Sequence, residues 1–392
     1  MDYWSEDGKA GSPRVSVSRF HGEDGTDEYH LIVVPRLAGS IESQLADIEH
    51  AYRAAIASAG LSMSTAVLRR FFCSDPHNQT DALNACSISR PHQADNPCAV
   101  SWVGQIPAAP AKVALWAYHL SDPRGELNKR QSGHTLTLVR GDLAHHWTTR
   151  LTCPGHSGCR DQTRGIFDAY DRFLTEGGMR LADHVVRTWL FVRDIDADYA
   201  DLVVMRREFF AARGLTPQTH FIASSGIQGA DADIAARVTL DAYAVGNLHE
   251  QQIYFLAAPE HLSPTHVYGV TFERATSVAY HDREHIFISG TASIDHRGNI
   301  LHHGDVGRQL ERTLDNVEAL LQQAGAAFRD MGHFIVYVRD PADHAVVDHR
   351  MRERFGSAPI VVITAPVCRP GWLVEVEGMA VLPASHSDCP AF

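Results

Sequence analysis

The chain has 392 residues, with 47 Asp or Glu against 35 Lys or Arg and a formal net charge of −12. Hydrophobic residues at 44% and charged residues at 21% exclude wholesale disorder, collagen and coiled coil, and the acidic balance speaks against a nucleic-acid partner. No run approaches the ~20 apolar residues of a membrane span, the acidic residues 1–11 do not read as a signal peptide, and seven scattered Cys fit a reducing, cytoplasmic setting better than a disulfide framework.

Taken in chain order, the predicted elements repeat three times. The first module opens with a strand over 29–34. An amphipathic helix follows Ser43-Gln44-Leu45, with Ile48, Ala51, Tyr52, Ala55 and Ile56 on its buried stripe, and ends at Gly60. A strand over 67–72 runs to Asp75, a short helix covers 78–86, and strands over 99–103 and 113–118 close the module.

The second module has strands over 135–139 and 146–151. Its helix follows Asp161-Gln162-Thr163, carries Ile166, Ala169, Tyr170 and Phe173, and ends at Gly177-Gly178. A strand over 185–192 stops at Asp194, a helix covers 203–210, and strands over 219–223 and 235–245 close it.

The third module has strands over 276–280 and 285–289. Arg308-Gln309-Leu310 opens its helix, with Leu314, Val317, Leu320 and Leu321 before Gly325; a strand over 334–338 reaches Asp340, a helix covers 345–355, and strands over 360–364 and 373–381 follow. Sixteen residues separate Gln44 from Gly60, Gln162 from Gly178 and Gln309 from Gly325. Each Gly stands where a helix C-terminus turns left-handed.

The order β-β-α-β-α-β-β predicts an α+β fold, a mixed sheet with two helices on one face. The expected modules are 14–121, 130–246 and 265–384, separated by polar 122–132 and by 246–264. The first is the degenerate copy.

The third module resembles the RidA/YjgF family, through Ile288-Ser289-Gly290-Thr291-Ala292-Ser293, Gly304-Asp305, Gln309, Asn316, Gly325, Val336-Tyr337-Val338-Arg339-Asp340 and Val374-Glu375-Val376-Glu377. It is similar in particular to the chorismatases, which are single-chain relatives of that fold. Residues 289–294, His302-His303, and Cys368-Arg369 with Glu375 seven positions after the Cys carry that likeness, as do Arg187-Thr188-Trp189 and Ser224-Ser225-Gly226-Ile227-Gln228-Gly229 in the second module. Family members are homotrimers with a site at each subunit interface. The resemblance therefore implies three modules around a pseudo-threefold axis in one chain, which is then a monomer or a homo-oligomer of such units. It also implies that Gly290, Thr291, Phe272, Arg274, Ser225 and Gly226 lie near a substrate. Deaminase-type members grip a carboxylate with an Arg on the strand before the closing hairpin; here that strand reads Ala358-Pro359-Ile360-Val361-Val362, without one.

Alternation places Leu373, Glu375 and Glu377 on one strand face and Val374 and Val376 on the other. A solvated strand face accounts for both glutamates by spacing alone; the resemblance makes Glu375 a general acid in an inter-module cleft and leaves Glu377 on the solvated face. Aligning the closing strands puts Thr239 opposite Glu375, with Ala114 or Leu115 in the first module, so one cleft carries the acid and apolar side chains close the other two. Cys368 is a catalytic candidate as a water-positioning group or nucleophile, against the plainer reading of pocket wall. Arg369 and Arg274 are candidates for binding a carboxylate, against surface positions. The run 224–229 presents N–H groups to an anion or forms a hairpin turn. Cys153, His156 and Cys159 supply three ligand types where structural zinc needs four, so no metal is expected. In His145-His146 and His302-His303 the two rings point to opposite faces, although one of His302 and His303 can reach the cleft.

These readings point to an enzyme without a cofactor that acts by hydrolysis or elimination on an enol-ether, imine or enamine group of a small anionic metabolite. Two alternatives stand beside it: a RidA-type imine or enamine deaminase, and a non-catalytic metabolite-binding or interaction protein.

Overall fold

A computed structural model describes residues 1–7, 11–90 and 96–392. The first sheet contains β1 (Asp2–Asp7), β2 (Arg14–Phe20), β3 (Glu28–Val34), β4 (Ala66–Cys73), β5 (Ala99–Gly104) and β7 (Val113–Leu120), in the order β1-β2-β3-β7-β4-β5. The second contains β8 (Asn128–Ser132), β9 (Thr135–Arg140), β10 (Leu143–Leu151), β11 (Val185–Val192), β12 (Ala223–Gln228) and β13 (Val238–Gly246), in the order β8-β9-β10-β13-β11-β12. The third contains β14 (Ile253–Leu256), β15 (Ala275–Ala279), β16 (Arg283–Ala292), β17 (Met331–Val338), β18 (Ile360–Thr364) and β19 (Val374–Pro383), ordered β14-β15-β16-β19-β17-β18, and β6 (Ile106–Pro107) from the first module adds to the β18 edge. The three sheets share one topology, so the chain is a tandem of three α+β modules.

The second and third modules begin one strand earlier than expected and the first two strands earlier, with β1 and β2 ahead of the strand expected over 29–34. β1, β8 and β14 lie in segments whose charge and polarity read as terminus, boundary and linker. They are edge strands, which need no apolar face; β8 alternates exposed and half-buried residues along its length. The strand expected over 219–223 lies instead at β12, which incorporates the Ser-Ser-Gly run read as a loop.

The helices are α1 (Ile41–Ser58), α2 (Pro76–Ala85), α3 (Gly158–Glu176), α4 (Leu181–His184), α5 (Ile195–Ala211), α6 (Val306–Gln323) and α7 (His344–Phe355). Asp75 and Asp194, where strands were expected to stop, are N-caps of the next helices and accept from Asn78 and Ala197 backbone N–H. Gly60, Gly178 and Gly325 have φ of +72°, +72° and +74° after the long helices, a conformation open to Gly at no steric cost. The repeated Gln has one task in all three modules. Gln44 donates to Pro110 O and accepts from Lys112 N; Gln162 does so with Ala235 and Arg237, and Gln309 with Gly371 and Leu373. Each buried amide thus pins the loop that leads into the closing strand.

The sheets meet at a shared centre. Trp116 stacks on His333 at 4.2 Å between ring centroids, Trp147 on Tyr243 at 4.4 Å, and Tyr243 lies 5.5 Å from Phe287. Each interface between modules contains a fully buried ion pair: Arg70–Asp241 at 2.8 Å between the first and second, Arg187–Glu377 at 2.7 Å between the second and third, and Arg283–Glu28 at 2.8 Å, joined by His285, between the third and first. Burial opposes ionisation of Glu28, yet His285 and Arg283 hold its carboxyl well below the usual range.

Candidate active site between the second and third modules

β19 turns Glu375 into a cleft at the interface of the second and third modules. The second module supplies Tyr199 and Arg206 from α5 and Ser224 and Gly226 from β12; the third supplies Phe272, Arg274, Gly290, Cys368, Arg369 and Trp372. The enclosed volume is about 30 Å³, room for a water molecule or two. Segment 268–272 walls it with Tyr268, Val270 and Phe272.

Glu375 is 4% exposed. Burial, then the neighbouring charge of Glu377, pushes its carboxyl up to about 8, against the opposing pull of Arg187 and Arg274. At neutral pH it is a protonated acid, and among the described residues nothing donates a hydrogen bond to it. Gly290 leaves room for it, since a Cβ there would overlap Glu375 Oε1 and displace the carboxyl.

Three guanidinium groups surround this acid. Arg206 is buried and bonds Thr271 Oγ1 at 3.2 Å and Ser224 Oγ at 3.4 Å. Arg274, also buried, donates to Ser263 O at 2.7 Å and lies 5.3 Å from the Phe272 ring centroid. Arg369 rests over Tyr268 and Trp372 at 4.4 and 5.1 Å. Among the described residues no carboxylate pairs with any of the three; Arg274 is buried and so is not a surface residue, while Arg369 is half-buried at the cleft. Burying cations without counter-charge is costly, and an anion entering the cleft would offset that cost.

Glu377 corrects the expectation of a solvated face. It is 2% exposed; Arg187 and Trp189 Nε1 donate to it, and Ser225 Oγ makes a short bond to it. Ser225 also accepts from Gly290 N at 2.8 Å. Ser225 therefore stands behind the cleft wall, linking the ion pair to Gly290. Thr291 bonds Ser289 O and does not line the cleft; neither do His302 and His303. The Cys368 thiol is pushed up to about 12 by burial and then by the Glu375 charge, which suits a neutral wall group and not a thiolate. Cys159 is buried in α3 with its thiol likewise raised to about 12 by burial, and no cluster of three or more metal-ligating side chains occurs among the described residues.

Arg206 was overlooked in the sequence, yet it leaves a signal: it sits within the stripe of Leu202, Met205 and Phe209 on the buried face of α5. The strand at 358–362, where deaminase-type members carry their carboxylate-binding Arg, lies at a different interface. β18 borders the third-to-first interface, and the strand that borders the Glu375 cleft is β12.

A family model described as endoribonuclease L-PSP matches residues 274–382. A chorismatase of Streptomyces rapamycinicus is 31% identical over 243 residues, covering 55% of this chain and 67% of that protein. A 3-hydroxybenzoate synthase of Streptomyces hygroscopicus is 28% identical over 245 residues, 56% of this chain and 69% of its own length. A RutC family protein of Pyrococcus abyssi is 31% identical over 97 residues, 24% of this chain and 76% of its own. A solved chorismatase superposes with a TM-score of 0.60 at 21% identity over 81% of this chain and 93% of its own, a likeness of fold. No helix among the described residues is long and apolar enough to cross a membrane. With its third module matched by the family model and a chorismatase relative 31% identical over two thirds of that protein's length, the chain belongs to the RidA/YjgF superfamily, and within it resembles the chorismatases.

Proposed function

We propose that the protein is a chorismate-processing enzyme in which Glu375 is the general acid and Arg206, Arg274 and Arg369 bind the carboxylates of the substrate. One observation carries this reading: a carboxyl raised toward its neutral form in a small cleft walled by three guanidinium groups, none paired with a carboxylate among the described residues. An enol ether becomes labile when its terminal vinyl carbon is protonated, because the adjacent oxygen then carries an oxocarbenium charge. Glu375 holds the proton at neutral pH, and its carboxylate, once formed, sits close enough to stabilise that cation. Water addition then gives a hemiketal that breaks to an alcohol and a keto acid, whereas loss of a ring proton leads to elimination. Tyr268, Phe272 and Trp372 provide the apolar surface for a ring. The present volume is too small for such a substrate, so entry requires segment 268–272 to move outward.

The test is a screen of chorismate and of imino acids with wild type and Glu375→Gln, with products separated by chromatography. Conversion of chorismate that disappears with the variant supports the reading. Conversion of imino acids alone would favour the deaminase, and a fully active Glu375→Gln would remove Glu375 from the chemistry.

A further inference from the structure

The interface between the third and first modules holds a second cleft, of about 720 Å³, far larger than the one at Glu375. It is the pseudo-symmetric counterpart of that site. β18 borders it as β12 borders the Glu375 cleft, and α7 as α5. Arg352 lines it and follows Asp340 by the same number of residues as Arg206 follows Asp194. Ala114 faces Phe72 in β7 at the register position where Glu375 faces Tyr337, so the acid is missing. Ala345 stands where α5 has Tyr199, and this small side chain leaves the space open.

Cationic groups remain in the lining. Arg14, Arg36, Lys112 and Arg352 border the cleft; Asp348, also in the lining, pairs with Arg352 at 2.9 Å and with Arg14 at 3.7 Å. Pro35, Pro107, Val361 and Val362 supply apolar walls. The volume falls within the roughly 300–1,000 Å³ of small-molecule sites.

We propose that this cleft is a non-catalytic binding site for a small organic anion with an apolar body, such as an aryl or cyclic carboxylate. The anion lies toward Lys112 and the arginines, where a planar carboxylate meets guanidinium geometry, and the body lies on the Pro and Val wall. The proposal is independent of the role of Glu375.

The probe is 4-(trifluoromethyl)benzoate, titrated into the full chain and followed by fluorine NMR. Lys112 and Ala345 are both exposed, so neither Lys112→Glu nor Ala345→Trp opens the core. The first reverses a charge at the rim and the second fills the cavity. Saturable binding by wild type is expected, weakened about tenfold or more by each variant, as loss of one charge-assisted contact or of the space implies, and retained by Arg369→Ala in the other cleft. Binding unchanged in both Lys112→Glu and Ala345→Trp would overturn the proposal. So would loss confined to Arg369→Ala, or the absence of saturable binding by wild type below about 10 mM, the weak limit for a specific site.

Discussion

The interface of the first and second modules and that of the second and third are built on one plan, and of the two it is the second that encloses the Glu375 cleft. Three positions make the difference. Gly226 in β12 corresponds by register to Trp102 in β5. Gly290, in the irregularity between Ile288 and Thr291, corresponds to Arg150, in that between Thr148 and Leu151. Glu375 corresponds to Thr239, which faces Phe191 as Glu375 faces Tyr337. Where the second interface has two glycines and a space, the first has an indole with the Arg150 guanidinium 4.0 Å above its ring centroid. The first cleft is thus filled by a cation–aromatic stack and not by apolar groups alone, and the third is open. The shared fold supplies the position of a cleft, while the size of the side chains at positions 226 and 290, or 102 and 150, decides whether it exists.

The strongest way to break this contrast is to import the filled state. Gly226→Trp should abolish measurable turnover of chorismate while near-ultraviolet circular dichroism stays native-like; a Cβ there already meets the Tyr199 ring at 3.2 Å. Activity in that variant would show that the cleft is not where substrate sits.

Next in size is the acid itself. Glu375→Gln should lower turnover by about 10²–10⁴-fold, the usual contribution of a general acid, and wild-type rates should fall as pH rises through about 8. Stability carries the same sign. A carboxyl raised in the folded state contributes stability that is complete below its unfolded pKa and is lost as pH rises through 8. Melting temperatures of wild type and Glu375→Gln should therefore draw apart as pH rises from about 4.5 to about 8 and keep a constant separation above it, with the variant the more stable; a separation that does not change across that range would contradict a buried, protonated acid.

Glu377 sharpens the contrast from behind. Glu377→Gln leaves Arg187 buried without its counter-charge, a loss of about 3–5 kcal/mol, readable as an earlier thermal transition. Joint replacement Arg187→Met with Glu377→Leu should recover most of it. Equal melting of wild type and Glu377→Gln would mean that the pair contributes little to the interface. The smallest effect belongs to Cys368→Ala. With its thiol near 12, the side chain is a wall, so turnover should stay within about tenfold of wild type, ~1.4 kcal/mol in barrier; a much larger loss would restore it as a reacting group.

The glycines and glutamines at fixed spacing, the amphipathic helices and the Asp before each second helix are local signals, and the three-module architecture followed from them. Glu375 was legible because it alternates with valines in a strand that the family resemblance placed at a cleft. Arg206 and the Glu377–Arg187 pair were not. A charged residue within an apolar stripe reads as a flaw in a helix until the neighbouring module is seen to bring Glu375 against it, and an alternating glutamate reads as solvated until Arg187 and Trp189 cover it.

What the sequence by itself determined was the repeat: periodicity and turn-forming residues act within a few positions of the chain and need no tertiary context. Which faces of the three modules meet, and therefore which of three equivalent clefts is filled, reactive or open, was decided only in the tertiary structure. Each cleft draws its walls from two modules, and burial between them is what raises Glu375, pairs Glu377 and leaves three guanidinium groups facing one small space.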